Sequence, residues 1–214
     1  IKGKIGEFSE RDLVPNQSAV IALTKQNYIK RLTPKAFRSQ GRGGKGVKLT
    51  MKDEDSIETL LTCETHDILL FFTNRGRVFK LMAYEVPESS RTARGTAAVN
   101  LLSLKQDEKI QSLLVLNEKK DKDKFIALAT RNGLVKKSAV NRFENIRSTG
   151  IIAITLNDDD ELVRGQITNG KDELFLGTYN GKSIRFTETE VKESSRDTKG
   201  VKGISLKKND HVVA

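Results

Sequence analysis

The run Gln40-Gly41-Arg42-Gly43-Gly44-Lys45-Gly46 is the segment of this chain best suited to ligand chemistry. Clustered glycines can turn successive backbone N–H groups toward one anion, and Arg42 and Lys45 add fixed positive charge, so the chemistry on offer is phosphate binding. Two enzymatic readings of the same residues fail. Gly41, Gly43 and Gly46 satisfy the spacing G-x-G-x-x-G, but no apolar strand leads into Gly41 and no amphipathic helix leaves Gly46. The helix N-terminus that would hold a pyrophosphate is therefore missing. Lys45 is followed by Gly46 rather than Ser or Thr, which leaves no hydroxyl for magnesium in the manner of a P-loop. A plain turn is the alternative that composition leaves open.

Other reactive side chains form no catalytic constellation. Cys63 and His66 make C-x-x-H, half of a zinc site, and His211 is the only other histidine. Asn157-Asp158-Asp159-Asp160-Glu161 lacks the glycine and the spacing of a calcium loop and reads as a solvated turn. Tyr28, Tyr84 and Tyr179 each lie in or beside an apolar run, where packing is the expected role. No catalytic residue, cofactor or metal is expected.

Charge points to the partner. Lys and Arg number 38 against 28 Asp and Glu, a net charge of +10. Such an excess favours a polyanion through counterion release. The single Cys63 excludes a disulfide framework and fits a reducing, cytoplasmic setting. No apolar run approaches the roughly 20 residues that cross a bilayer, and no charged-then-apolar leader is present, so no membrane partner is expected.

The elements that must position these residues come in four copies. Each opens with an apolar strand ending in Thr, at Thr24, Thr73, Thr130 and Thr178, and turns three residues later at Asn27, Gly76, Gly133 and Gly181. From Asn27 to Gly76 is 49 residues, to Gly133 a further 57, and to Gly181 a further 48. Asn and Gly accept the positive φ that tight hairpins demand. Four residues after each turn comes a cation: Arg31, Lys80, Lys137 and Arg185. A Ser/Arg segment ending in glycine follows, as Glu88-Ser-Ser-Arg91-Thr-Ala-Arg94-Gly95 and Glu193-Ser-Ser-Arg196-Asp-Thr-Lys199-Gly200, with the shorter Asn145-Ile-Arg147-Ser-Thr-Gly150 between them. An acidic turn at Asp55, Asp107, Asp160 or Asp210 then leads into another apolar strand, and recurrence in every copy marks these acids as architectural. Glu118 to Lys124 is a charged loop insertion that explains the longer spacing.

Repeats of roughly 50 residues with about four strands each predict an all-β, propeller-like array of four-stranded antiparallel blades. The expected limits are a lead-in at 1–17 and a domain at 18–214, with blades near 18–61, 66–114, 124–168 and 172–214.

The segment Gln40 to Gly46 resembles the gyrase A box, Q-R-R-G-G-K-G, at six of seven positions, with Gly41 replacing the first Arg. The likeness extends through Arg11-Asp-Leu-Val-Pro15, Thr65-His-Asp-Ile68, Arg75-Gly-Arg-Val78, Val99-Asn-Leu-Leu102, Asn132 to Lys137 and Thr198-Lys-Gly-Val201. On these motifs the chain is similar to the C-terminal domain of DNA gyrase A. The resemblance implies a β-pinwheel whose blades exchange strands, and a non-catalytic module that wraps double-stranded DNA around a basic rim, largely without regard to sequence. It supports ATP-dependent negative supercoiling by the gyrase holoenzyme, in which the remainder of gyrase A and the whole of gyrase B are partners.

It also implies a cytoplasmic, nucleoid-associated setting. It puts the DNA contacts at Gln40, Gly41, Arg42, Gly43, Gly44, Lys45 and Gly46, and on a rim of Arg31, Lys80, Arg91, Arg94, Lys137, Arg147, Arg185, Arg196 and Lys199, side chains expected to be mostly exposed. Gyrase members of the family commonly carry six blades, so an end at His211-Val-Val-Ala214 is read as a cut from a longer chain, or else as an open arc of four. The rivals are the homologous domain of topoisomerase IV, which lacks an intact box, and a propeller serving as a protein-interaction platform.

Overall fold

Residues 10–37 and 55–214 are described by a computed structural model; Gln40 to Gly46 lies outside the described residues. The chain divides into two compact units, Ile1–Ile68 with Leu81–Leu101, and Leu69–Lys80 with Leu102–Ala214. The only α-helix among the described residues is the single turn Glu10–Leu13. The strands are β1 (Ser18–Thr24), β2 (Tyr28–Leu32), β3 (Ile57–Glu64), β4 (Ile68–Thr73), β5 (Arg77–Met82), β6 (Thr96–Ala97) and β7 (Ile110–Leu116). They continue as β8 (Phe125–Thr130), β9 (Leu134–Ala139), β10 (Ile151–Ile152), β11 (Leu162–Thr168), β12 (Glu173–Gly177), β13 (Ser183–Thr187) and β14 (Val201–Lys202).

Strand order shows how the repeats are built. Three sheets run β3-β1-β2-β6, β7-β4-β5-β10 and β11-β8-β9-β14. In each, the central hairpin and one outer strand come from a single repeat, and the fourth strand comes from the repeat that follows. This is the strand exchange of a β-pinwheel. The donated strands are two residues long, pairing Tyr28 with Ala97, Val78 with Ile151 and Val135 with Val201. The fourth repeat differs from the expected four-stranded blade: β12 and β13 form a two-stranded sheet, and the outer position holds one bridge, Thr178 to Val212.

The repeated Thr and the repeated acid form a single device. Asn27, Gly76, Gly133 and Gly181 all have positive φ, between 59° and 84°. The Thr hydroxyl before each turn accepts the N–H leaving it, from Tyr28 at 3.1 Å, Arg77 at 3.3 Å, Leu134 at 3.1 Å and Lys182 at 3.0 Å. The acid crosses from the next outer strand: Asp55, Asp160 and Asp210 accept N–H groups of Gln26, Asn132 and Asn180. In the second repeat the expected Asp107 does not do this. It sits at φ 60° and is exposed, and the longer Glu108 reaches Thr73 Oγ1 at 2.7 Å instead.

Burial follows the exchange. β4 is buried along its whole length, so both of its faces are covered. In the second unit Phe72 meets Phe143 edge to face at 6.0 Å, and Gly165 of β11 lies against Leu128 and Phe72, where a Cβ would stand 3.2 Å from Leu128 Cδ2 and 3.6 Å from Phe72 Cδ2. Val135, Leu176, Val191, Ile204 and Val212 form one cluster that joins the third and fourth repeats. Each such side chain contributes about 1.5–3 kcal/mol by leaving water. In the first unit Val20, Ala22 and Leu32 gather Phe37 and Ile57, and the lead-in is tied down where Thr65 Oγ1 donates to Pro15 O at 2.8 Å.

Glu108 is the acid on which the second repeat's turn depends. Its carboxylate also pairs with Arg77 at 2.7 Å and is itself fully buried. Glu108→Gln strands the guanidinium of Arg77 and is expected to cost about 3 kcal/mol. A urea denaturation series measures this, with the same slope and a lower midpoint than the parent.

Candidate nucleic-acid interface

The cations that recur four residues after each turn were expected on an exposed rim, and three of the four are not free. Arg31 has a side chain 13% exposed; its Nε donates to Val86 O at 3.0 Å and Nη1 pairs with Glu88 at 3.3 Å. Lys80 Nζ donates to Glu144 O at 2.7 Å. Lys137 is 7% exposed; its Nζ donates to Glu188 O at 2.7 Å, with the Glu188 carboxylate at 3.9 Å. In every case the acceptor lies in, or ends, a 3-10 turn of the following repeat. Their recurrence thus reflects a fastening between consecutive repeats. Arg185 alone is well exposed, at 69%, and its carboxylate neighbour Glu173 stands 3.6 Å away.

The Ser/Arg segments carry further exposed charge. In the first unit Arg91 is exposed, while Arg94 sits over Tyr28, its guanidinium carbon 3.5 Å from the ring centre. In the second unit Arg147 and Lys199 are exposed and Arg196 is half-buried. The two longer loops begin where their first residues pair with the preceding hairpin, at the parallel bridges Arg31 to Glu88 and Lys137 to Glu193. Each ends in the donated strand. Gly95 and Gly200 mark equivalent close approaches: a Cβ there would stand 2.6 Å from Ile29 O and 2.8 Å from Val135 O.

Two lysines without a signal in the repeat pattern hold the loops from beneath. Lys30 is 1% exposed, and its Nζ donates to Arg91 O at 3.0 Å and Ala93 O at 2.6 Å. Lys136, also 1% exposed, donates to Ala153 O at 2.8 Å, Thr198 O at 3.1 Å and Arg196 O. Burial lowers the pKa of both ammonium groups from 10.5. For Lys136 it reaches about 8, with Asp197 opposing the fall and Arg196 and Arg142 adding to it. In sequence they sit one residue before the recurring cations Arg31 and Lys137, inside apolar strands. Only the oddity of a lysine at that place could have singled them out.

Within the second unit one groove gathers charge. Arg77, Lys105, Arg142 and Arg196 line it with Ser195, Asp197 and Gly150 to Ile152. Arg196 belongs to the predicted set; Arg77, Lys105 and Arg142 do not, although Arg77 is matched by Lys182 in the residue after the turn and Lys105 by Lys207 in the turn before the acid. Arg77 is committed to Glu108 and to Thr149 O, and Arg142 stands 3.6 Å from Glu193. Ser195 Oγ donates to Asp197 Oδ1 at 2.8 Å, and this bond heads the causes that hold the Asp197 carboxyl below its ordinary range.

The remaining candidates pack against neighbours within the first unit. Cys63 is buried, and burial, followed by Asp67 and Glu64, pushes its thiol up to about 11. His66 Nε2 is 2.7 Å from Val14 O and its ring meets Tyr84 edge to face. No group of three or more metal-ligating side chains occurs among the described residues. No helix among them is long and apolar enough to cross a membrane.

Lys136 makes stability depend on pH. Its folded pKa, about 8, lies below the unfolded 10.5, so between those values the unfolded chain binds more protons. Stability from this group is therefore gained as pH rises through that window and lost as pH falls back through about 8. Thermal unfolding followed from pH 7 to pH 10.5 is expected to show this rise in the parent and a flatter curve in Lys136→Met.

The chain is similar to known proteins. A family described as "DNA gyrase C-terminal domain, beta-propeller" matches residues 19–64, 67–117, 124–169 and 172–214. The chain is 42% identical over 212 residues to the DNA gyrase A protein of Staphylococcus aureus (strain NCTC 8325 / PS 47), covering 99% of this chain and 24% of that relative. Among solved structures, the C-terminal domain of DNA topoisomerase IV superposes with a TM-score of 0.78 at 31% identity, covering 94% of this chain and 61% of that one. A DNA gyrase A C-terminal domain superposes with a TM-score of 0.73 at 28% identity, covering 92% and 64%. The E. coli ParC C-terminal domain, at 17% identity and a TM-score of 0.70, shares the fold. Matched along all four of its repeats, this chain belongs to the DNA gyrase C-terminal domain family.

Proposed function

We propose that this chain is a non-catalytic DNA-wrapping domain of a DNA gyrase A protein, acting in the cytoplasm at the nucleoid. It binds duplex DNA through the phosphate backbone, bends it, and so supports ATP-dependent negative supercoiling by a holoenzyme formed with the rest of gyrase A and with gyrase B. ATP hydrolysis and strand cleavage belong to those partners. The observation that carries the reading is the set of Ser/Arg loops, which present Arg91, Arg147 and Lys199 to solvent, the two longer loops on backbone fixed to the preceding hairpin. Lys105, Arg142 and Arg196 add charge along one groove. Many such contacts offset the cost of a smooth bend, about 1–6 kcal/mol for 40–90°, without reading bases. The box Gln40 to Gly46 would anchor the DNA where its path begins or closes. The equivalent domain of topoisomerase IV is the second reading, favoured by the TM-score of 0.78.

Gel shifts on unrelated duplexes between about 50 and 200 mM salt test the contacts. Replacing Arg91, Arg147 or Lys199 by Ala is expected to lower the salt slope by about 0.9 for each phosphate no longer neutralised, equally for all sequences. A weakening confined to one sequence would contradict backbone recognition.

Replacing Gln40 to Gly46 by alanines separates the two topoisomerase readings. As a gyrase-type wrapper the parent shifts the topoisomer distribution of a relaxed and religated plasmid, and the variant binds DNA but loses the shift. A parent without any shift favours the topoisomerase IV reading.

A further inference from the structure

Neither Lys30 nor Lys136 can touch DNA, since each is buried to 1% exposure. Yet each places a positive charge in the interior, which is unfavourable unless its N–H groups all find acceptors. The acceptors are not carboxylates. They are main-chain carbonyls in the middle of the double-cation loops: Arg91 and Ala93 for Lys30, Arg196 and Thr198 for Lys136. An ammonium surrounded by carbonyls fixes those peptide planes, and with them the directions in which the neighbouring side chains leave the backbone.

The second repeat supplies an internal comparison. There Phe79 takes the place held by the lysines, its ring 2.8 Å from where a Cβ on Gly150 would stand, and the loop above it carries one cation, Arg147, instead of two. Both loops with paired cations have the buried lysine.

We propose that Lys30 and Lys136 are positioning residues for DNA binding, each aiming the cation pair of the next repeat's loop by holding that loop's carbonyls from below. The inference rests on the DNA-binding reading above. It separates the charges that touch phosphate from the charges that set where those contacts fall.

The test uses Lys30→Met, Lys136→Met and the double variant of this chain, with a duplex of about 150 base pairs, one persistence length. Methionine keeps most of the apolar stem and removes the charge. The variants are expected to unfold at the same temperature as the parent or higher at neutral pH, because a buried charge has been relieved. Amide exchange in free protein should nevertheless quicken at residues 89–95 for Lys30→Met and 194–200 for Lys136→Met. DNA affinity should fall about threefold at moderate salt for each phosphate that is no longer reached, with the salt slope reduced in step.

If the variants do not fold, the parent alone decides. The charged groups acting on Lys136 are Asp197, Arg196 and Arg142. From neutral pH to about pH 9.5 Asp197, whose carboxyl is held below its ordinary range, stays ionised. Lys136 itself passes from three N–H donors to two against its three carbonyls, so DNA affinity should drop about threefold while stability rises. A merely structural lysine would move both in the same direction.

Folded variants with parental affinity and slope would overturn the proposal, as would parental exchange in both loops, or an affinity that does not fall with pH. A parent that shows no salt-dependent binding would overturn the DNA-binding reading itself, while the exchange rates would still report whether the lysines fasten the loops.

Discussion

A hairpin of two apolar strands leaves a row of unpaired N–H and C=O groups along each edge, and in water such an edge invites another strand. Here one edge is closed from within the repeat, by β3, β7 or β11, and the other by two residues borrowed from the repeat that follows. Everything else is arranged around that loan. To deliver its short strand, the following repeat must run back across the preceding hairpin. The segment that does so is the Ser/Arg loop.

Charge in this molecule therefore divides by depth. Arg31, Lys80 and Lys137 bind carbonyls of the next repeat's 3-10 turn and help to set the step from one repeat to the next. Beneath the loops, Lys30 and Lys136 hold carbonyls in the middle of the returning segment. Arg91, Arg147 and Lys199 are exposed on the Ser/Arg loops, the segments proposed above to meet an external phosphate. A net charge of +10 says little about such a division, because solvation and hydrogen bonding decide which cations remain available.

Much of the fold was legible in the sequence, since the features that recur are those with strict stereochemical demands. The Thr-x-x-Asn/Gly turn announces itself by the positive φ it requires, and the acid that caps it recurs at an almost fixed spacing. Glu108 escaped because a glutamate one residue later can reach the same hydroxyl that an aspartate reaches elsewhere. The fate of Arg31, Lys80 and Lys137 was not legible. Regular recurrence marks a residue as important to every repeat without saying whether it serves the repeat or a ligand, and only the position of the next repeat's carbonyls decides between them. Lys30 and Lys136 were hidden for the opposite reason, as they break the apolar pattern in two repeats out of four. The groove cation Lys105 has a counterpart in Lys207, yet only the three-dimensional structure brings it and Arg142 beside Arg196.

The most direct measurement is amide hydrogen exchange across the whole chain, free and saturated with duplex DNA at low salt. Loops that meet the phosphate backbone should gain protection at residues 89–95, 145–150 and 194–200, while the acidic turn 157–161 and the charged insertion 118–124 stay unchanged. Protection confined to 118–124, or bound DNA that leaves all three loops exchanging as in the free chain, would contradict the placement of the interface on the segments that return to close each sheet.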